Sequence, residues 1–121
     1  MKIDIHVHTK KTKQGDAVTR EIDAKRFNEI ISSTEVRIVA ITNHNVFDLK
    51  QYDEFVTTVD DGFQIWPGVE LDVHEDGRRG HLILIVSPDR ARELQSTIQA
   101  ISEDVSPDDF SMSIKDVVVV A

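Results

Sequence analysis

The chain has 121 residues, a formal net charge of −8 and 40% hydrophobic residues. That size holds one domain with one core, the composition excludes a disordered chain, and the acidic balance excludes broad, non-specific binding to nucleic acid. Cysteine is absent, which excludes disulfides and thiolate metal sites and fits a cytoplasmic setting, and no apolar run reaches the roughly 18 residues of a membrane span, so no membrane partner is expected.

The first element, KIDIHVH, reads as a strand and not as a signal peptide. Successive strand side chains alternate, so His6 and His8 share one face while Ile5 and Val7 share the other, and the two imidazoles can aim at one point. An isolated H-x-H pair is weak evidence for a metal site. TKKTKQGD follows, where Lys10, Lys11 and Lys13 form either a solvated loop or a positive lip suited to a phosphate. DAKRFNEIISS predicts a helix capped by Asp23, with Phe27, Ile30 and Ile31 on one stripe. VRIVAIT is an almost unbroken β-branched run, as in a strand buried on both faces. DLKQYDEFVTTV places Tyr52, Phe55, Val56 and Val59 at helical spacing.

FQIWPGVELDVH and HLILIVS predict two strands around EDGRRG. A two-residue Asp76-Gly77 turn sets Asp72 opposite His81 and Leu71 opposite Leu82. Glu70, Asp72 and His81 then share a face, with Glu70 diagonal to His81 and within reach of it. A slip of one residue would reverse these faces. His74 has the same parity but lies nearer the turn, and is expected to be exposed. SPDRARELQSTIQAI predicts a helix with Ser87 and Pro88 at its start and Ala91, Leu94, Ile98 and Ile101 facing inward. A second Ser-Pro, Ser106-Pro107, predicts a short helix through Phe110 and Ile114. DVVVVA predicts a final strand.

Alternating strands and helices imply a mainly parallel sheet or barrel with helices outside, whose functional groups gather at the C-terminal strand ends. His6 and His8 end the first strand, His44 in AITNHN lies just past the second, and Glu70 in PGVELD closes the third. The hairpin adds His81. Imidazole and carboxylate without thiolate suit zinc, manganese or iron more than calcium. Five such groups exceed one tetrahedral zinc, so two or more metals are expected, with Glu70 placed to bridge them. Such clusters generate hydroxide at neutral pH and stabilise both oxygens of an in-line displacement at phosphorus.

DIHVHT, AITNHN, PGVELD and GHLILI, in this order, resemble successive motifs of the PHP (polymerase and histidinol phosphatase) superfamily of metal-dependent phosphoesterases. The resemblance runs the length of the chain. It implies a distorted seven-stranded β/α barrel, with metals held by His6, His8, His44, Glu70 and His81. It also implies an acidic ligand in the loop after the first motif, for which Asp16 is the candidate; an Asx turn after Gly15 is the other reading of that residue. Two departures stand out. The second motif of the family is usually Thr-Asp-His, and here it is Thr42-Asn43-His44; an amide is not a charged partner. In relatives a strand like DVVVVA leads into a further ligand histidine and later an Asp-x-His pair, and 121 residues do not supply the whole fold.

Residues 1–121 are therefore expected to form the N-terminal part of a PHP domain from a longer protein: an α/β fold with helices outside a mainly parallel sheet, and one β-hairpin. The implied chemistry is hydrolysis of a phosphate ester by a metal-bound hydroxide, as in a phosphatase, phosphodiesterase or nuclease, with nucleotides and nucleic acid among the candidate substrates. With its remaining ligands missing, this fragment is expected to be weak or inactive. Lys10, Lys11, Arg78 and Arg79 are weaker candidates for phosphate contacts, and for Arg78 and Arg79 the favoured reading is that of solubilising residues in the hairpin turn. The rivals are a non-catalytic, regulatory metal-binding module and an amidohydrolase-type hydrolase, which would carry a bridging lysine and not a glutamate after PG. An exposed edge at DVVVVA would favour self-association through that strand.

Overall fold

Three extended runs organise the computed structural model, which describes residues 1–17, 21–59, 62–103 and 105–120. They are β1 (Lys2–Val7), β2 (Val36–Ile41) and β3 (Gln64–Glu75), paired in parallel in that order. Parallel neighbours need a crossover, and helices α1 (Ala24–Ser32) and α2 (Leu49–Thr58) supply the two. A fourth strand, β4 (Arg78–Ile85), returns antiparallel to β3. Next come a 3₁₀ turn (Pro88–Arg90), α3 (Ala91–Ile101), a two-residue strand β5 (Met112–Ser113) beside β3, and α4 (Ile114–Val120). The result is an α/β fold whose curled sheet forms half a barrel. No helix among the described residues is long and apolar enough to cross a membrane.

Side-chain alternation along β3 sets the two faces of the sheet. Val69, Leu71 and Val73 are buried against the helices, in one core with Phe27 and Ile31 of α1, Tyr52 and Phe55 of α2, and Leu94 and Ile98 of α3. Glu70 and Asp72 therefore point to the opposite face. Asp23 caps α1 by accepting from the Arg26 N–H (2.8 Å), and Asp48 caps α2 by accepting from Gln51 (3.0 Å). Phe27, Phe55 and Phe63 lock the two helices together, with ring centroids 5.1 and 6.4 Å from Phe27.

β3 changes partner halfway along its length. Residues from Gln64 to Pro67 pair with β2, and those from Gly68 to Glu75 pair with β4. Pro67 has no N–H to give the ladder, and Gly68 lets three segments meet. A Cβ on Gly68 would lie 2.9 Å from the Leu84 carbonyl oxygen, 3.0 Å from Thr42 Cγ2 and 3.2 Å from the Ile41 carbonyl oxygen. The hairpin is the one its turn chemistry demands: Asp76 and Gly77 both have positive φ, at 48° and 76°. Leu71 faces Leu82 and Asp72 faces His81.

Several expectations are corrected. Arg78 and Arg79 belong to β4 and not to the turn. Ile30 and Val56 lie one position off the buried stripes of their helices and are exposed. β2 is fully buried only over Val39–Ile41. Pro107 opens a turn and not a helix. The largest change is at the C-terminus, where DVVVV is helical. Ser113 Oγ accepts from the Asp116 N–H (3.2 Å) at the start of α4; Val117 is buried and Val118 exposed. A helix meets its backbone hydrogen bonds within itself, whereas a strand here would need a partner strand along its length, and β5 pairs with β3 only over Met112–Ser113. The strand edge on which self-association was expected is thus not formed among the described residues.

Gly68→Ala should cost about 1–3 kcal/mol in urea unfolding, because the contacting atoms are largely backbone and cannot give way. Gly80→Ala meets nothing within 4 Å and should stay within about 0.5 kcal/mol of the wild type. Equal effects would contradict the close approach at Gly68.

Candidate metal centre

Sheet order brings the polar strand ends side by side. β1 delivers His6 and, one residue past its end, His8; the segment after β2 delivers His44; β3 carries Glu70 and Asp72; β4 carries His81. A bridge between His44 and Glu70 continues the β2–β3 pairing beyond the strand itself. Within it Glu70 N–H donates to the Asn43 carbonyl (3.0 Å) and Asn45 N–H to the Glu70 carbonyl (2.9 Å).

Glu70, only 3% exposed, is the point of convergence. Its Oε2 lies 3.0 Å from His6 Nε2, 3.1 Å from His8 Nε2 and 2.8 Å from His44 Nε2, and its Oε1 lies 3.0 Å from His81 Nδ1. His6 and His8 also approach each other, Nε2 to Nε2, at 3.2 Å. Three imidazole nitrogens around one carboxylate oxygen exceed its two lone-pair directions. Nitrogens held about 2.0–2.1 Å from a tetrahedral zinc lie roughly 3.3–3.4 Å apart. The His6–His8 separation is close to that value, while the nitrogen–oxygen distances to Glu70, 2.8–3.1 Å, are those of hydrogen bonds. Two groups could each hold a metal ion, His6–His8–Glu70 and His44–Glu70–His81, and they share the glutamate. Oxygen and nitrogen donors alone fit zinc, manganese or iron.

The charges agree. Burial raises the Glu70 pKa, but the hydrogen bond from His6 and the charges of His44, His6 and His8 outweigh it, and the carboxyl is held below its ordinary range. Asp72 behaves alike: burial raises its pKa, while hydrogen bonds from Lys13 and Asn45 and the charges of Lys13 and His81 bring it down. Lys13 is ion-paired to Asp72 Oδ2, and His81 Nε2 lies 2.9 Å from Asp72 Oδ1.

Asp16 sits behind His44 and outside both metal groups. Its Oδ1 is 2.8 Å from His44 Nδ1, the far side of the ring from Glu70, and its Oδ2 accepts from the N–H groups of Thr12 (3.1 Å) and Lys13 (3.1 Å). That arrangement fixes which His44 nitrogen faces Glu70, as carboxylates behind metal-binding histidines do. Burial pulls the Asp16 pKa up, but the two backbone hydrogen bonds and His44 overcome it and take it down to about 2.

The remaining candidates scatter. Lys10 pairs with Asp48 (2.9 Å), away from the histidines, and Lys11 is exposed. Arg78 and Arg79 are exposed on β4, with Arg79 lining a cavity of about 590 Å³ together with Lys13, Asp72, His81 and Phe110. His74 is exposed as expected and meets Ser111 Oγ (2.8 Å). Sequence reasoning missed Asn45. Held at φ 57°, it accepts from Asp72 N–H (2.8 Å) and donates to Asp72 Oδ2 (2.9 Å) and to the Pro107 carbonyl (2.9 Å). Asparagine tolerates that left-handed conformation better than most residues, a signal present in the sequence but shared with many turns. No protein-family model, curated protein or solved structure matches this chain.

Asp16 has a lower pKa folded than unfolded, so its stabilisation is complete above the ordinary 3.8 and is lost as pH falls through about 2. With chelator present, urea unfolding should show stability falling across that window. Asp16→Asn should remove about 2 kcal/mol at neutral pH and flatten that fall. An unchanged acid profile would contradict the pairing.

Proposed function

We infer that this chain is a PHP-type metal-dependent phosphoesterase domain, its described strands forming the first part of a distorted β/α barrel. The observation that carries the reading is the convergence of His6, His8, His44 and His81 on one buried glutamate at the sheet's polar end. The four sequence motifs resembling that superfamily supply these same residues in the same order. The shared group is a carboxylate and not a lysine, which favours this reading over an amidohydrolase-type site.

His6, His8 and Glu70 would hold one cation and His44, Glu70 and His81 a second. When bound, such ions supply Lewis acidity, lowering the pKa of water and offsetting charge on phosphate oxygens. The protein's own part is to orient and to select. Asp16 holds the His44 ring from behind, and Glu70 stays ionised between the two cation positions. The adjoining cavity carries Arg79 beside His81, but its lining also holds Asp72, paired with Lys13, and Asp108 and Asp109, so attraction for a phosphate ester there would have to come from the bound cations. A second reading is a metal-binding module without turnover, favoured by the Lys13–Asp72 ion pair, which occupies a carboxylate at the site's edge.

The protein purified without chelator should carry divalent metal that a His6→Ala/His8→Ala variant lacks. With manganese or zinc it should hydrolyse p-nitrophenyl phosphate or its diester below the roughly 1–10³ per second of ordinary enzymes, and Glu70→Gln should abolish that turnover. Equal metal content in wild type and the double variant would overturn the site. Bound metal without any Glu70-dependent hydrolysis would select the non-catalytic reading.

A further inference from the structure

We propose that Asn43 is the positioning residue that sets the spacing of the metal ligands, acting through its hydrogen bonds to the His8 loop and to β3. The proposal rests on the metal-site reading above and assigns a task to the one motif residue that departs from the family pattern.

Asn43 is 3% exposed and uses its whole side-chain amide. Oδ1 accepts from the N–H groups of Thr9 (2.9 Å) and Lys10 (3.1 Å), while Nδ2 donates to Thr9 Oγ1 (3.2 Å) and Gln51 Oε1 (3.4 Å). Two acceptor directions and two donors are all that an amide offers. Backbone groups fix which way the amides point. Thr9 N–H and Lys10 N–H can only donate, so the Asn43 oxygen faces them. The Thr9 carbonyl can only accept, so it is the Gln51 nitrogen that faces it, at 3.4 Å, with Oε1 turned toward the Thr9 hydroxyl (3.1 Å) and Asn43.

What Asn43 grips gives the clamp its consequence. Thr9 and Lys10 directly follow His8, His44 is the next residue along the chain, and the Asn43 carbonyl accepts from Glu70 N–H (3.0 Å). One residue thus ties together the three segments that carry His8, His44 and Glu70. Residues behind a metal site commonly alter affinity by about 10–100-fold when changed.

The acceptor side of the amide carries the clamp. A carboxylate in its place still accepts from Thr9 and Lys10, and the Thr9 hydroxyl can turn to donate to it at the cost of its bond to Gln51 Oε1, a cost that falls on stability at the Gln51 side and not on the grip on the His8 loop. Loss of the donor side alone should therefore be tolerated, whereas loss of the whole group should let the His8 loop drift from Glu70.

The test is the zinc dissociation constant, by competition with a chelating dye, for wild type, Asn43→Ala and Asn43→Asp. Each is measured below the melting temperature of its own metal-free form. Asn43→Ala should bind about 10–100-fold more weakly, and Asn43→Asp at or above wild-type affinity. If Asn43→Ala does not fold, Asn43→Ser replaces it, because a hydroxyl cannot span both N–H groups, and it carries the same expectation. Wild-type affinity in the Ala or Ser variant overturns the proposal and leaves the metal site standing, since a purely structural residue would change only the melting temperature. Equal weakening in Ala and Asp variants overturns it as well. Absence of zinc binding by the wild type overturns the metal-site reading, and this proposal falls with it.

Discussion

A carboxylate that is 3% exposed needs positive charge beside it, and Glu70 is that carboxylate. Removing one from water costs several kcal/mol unless partners compensate. The parity of β3 leaves no alternative: burying Val69 and Leu71 in the core turns Glu70 to the other face, in the middle of the sheet. Four imidazoles from β1, β4 and the loops after β1 and β2 gather there, and a cation between them would satisfy donors that the carboxylate alone cannot. The surrounding polar network serves the same constraint. Asn43 and Asn45 bracket the backbone of Glu70, Asp16 turns His44 toward it, and Lys13 neutralises the neighbouring Asp72.

The parts of this arrangement that are local in sequence could be read from it. Asp-Gly fixes a two-residue turn, the turn fixes the register, and the register places Asp72 opposite His81 and turns Glu70 to that face. Asp23 before an apolar stripe marks the start of α1 for the same kind of reason. The side chains whose roles depend on distant neighbours could not be read. Asp16 lies four residues beyond Thr12 and 28 before His44, and only the folded loop shows that it faces the back of that ring. Lys13 and Asn45 meet Asp72 across 59 and 27 residues.

The C-terminal valines show the same limit from the other side. A β-branched run favours a strand on propensity, but propensity yields to the environment available. Beside β3 the strand position is taken by Met112 and Ser113 alone, and the valines that follow wind into α4 with Val117 inward. The strand path runs from β1 to β4, with β5 a short branch on β3. On β1 this leaves Ile3 and Ile5 about half exposed, while His6, on its other face, still reaches Glu70. A half-barrel with a polar strand-end face is thus enough to assemble the ligand groups.

The central claim is that two cations share Glu70. Crystals soaked in manganese or zinc and measured at the metal's absorption edge test it most directly. The account predicts two anomalous peaks flanking the Glu70 carboxylate, one beside His6 and His8 and one beside His44 and His81. No peak within coordination distance of Glu70, or only one, would contradict it.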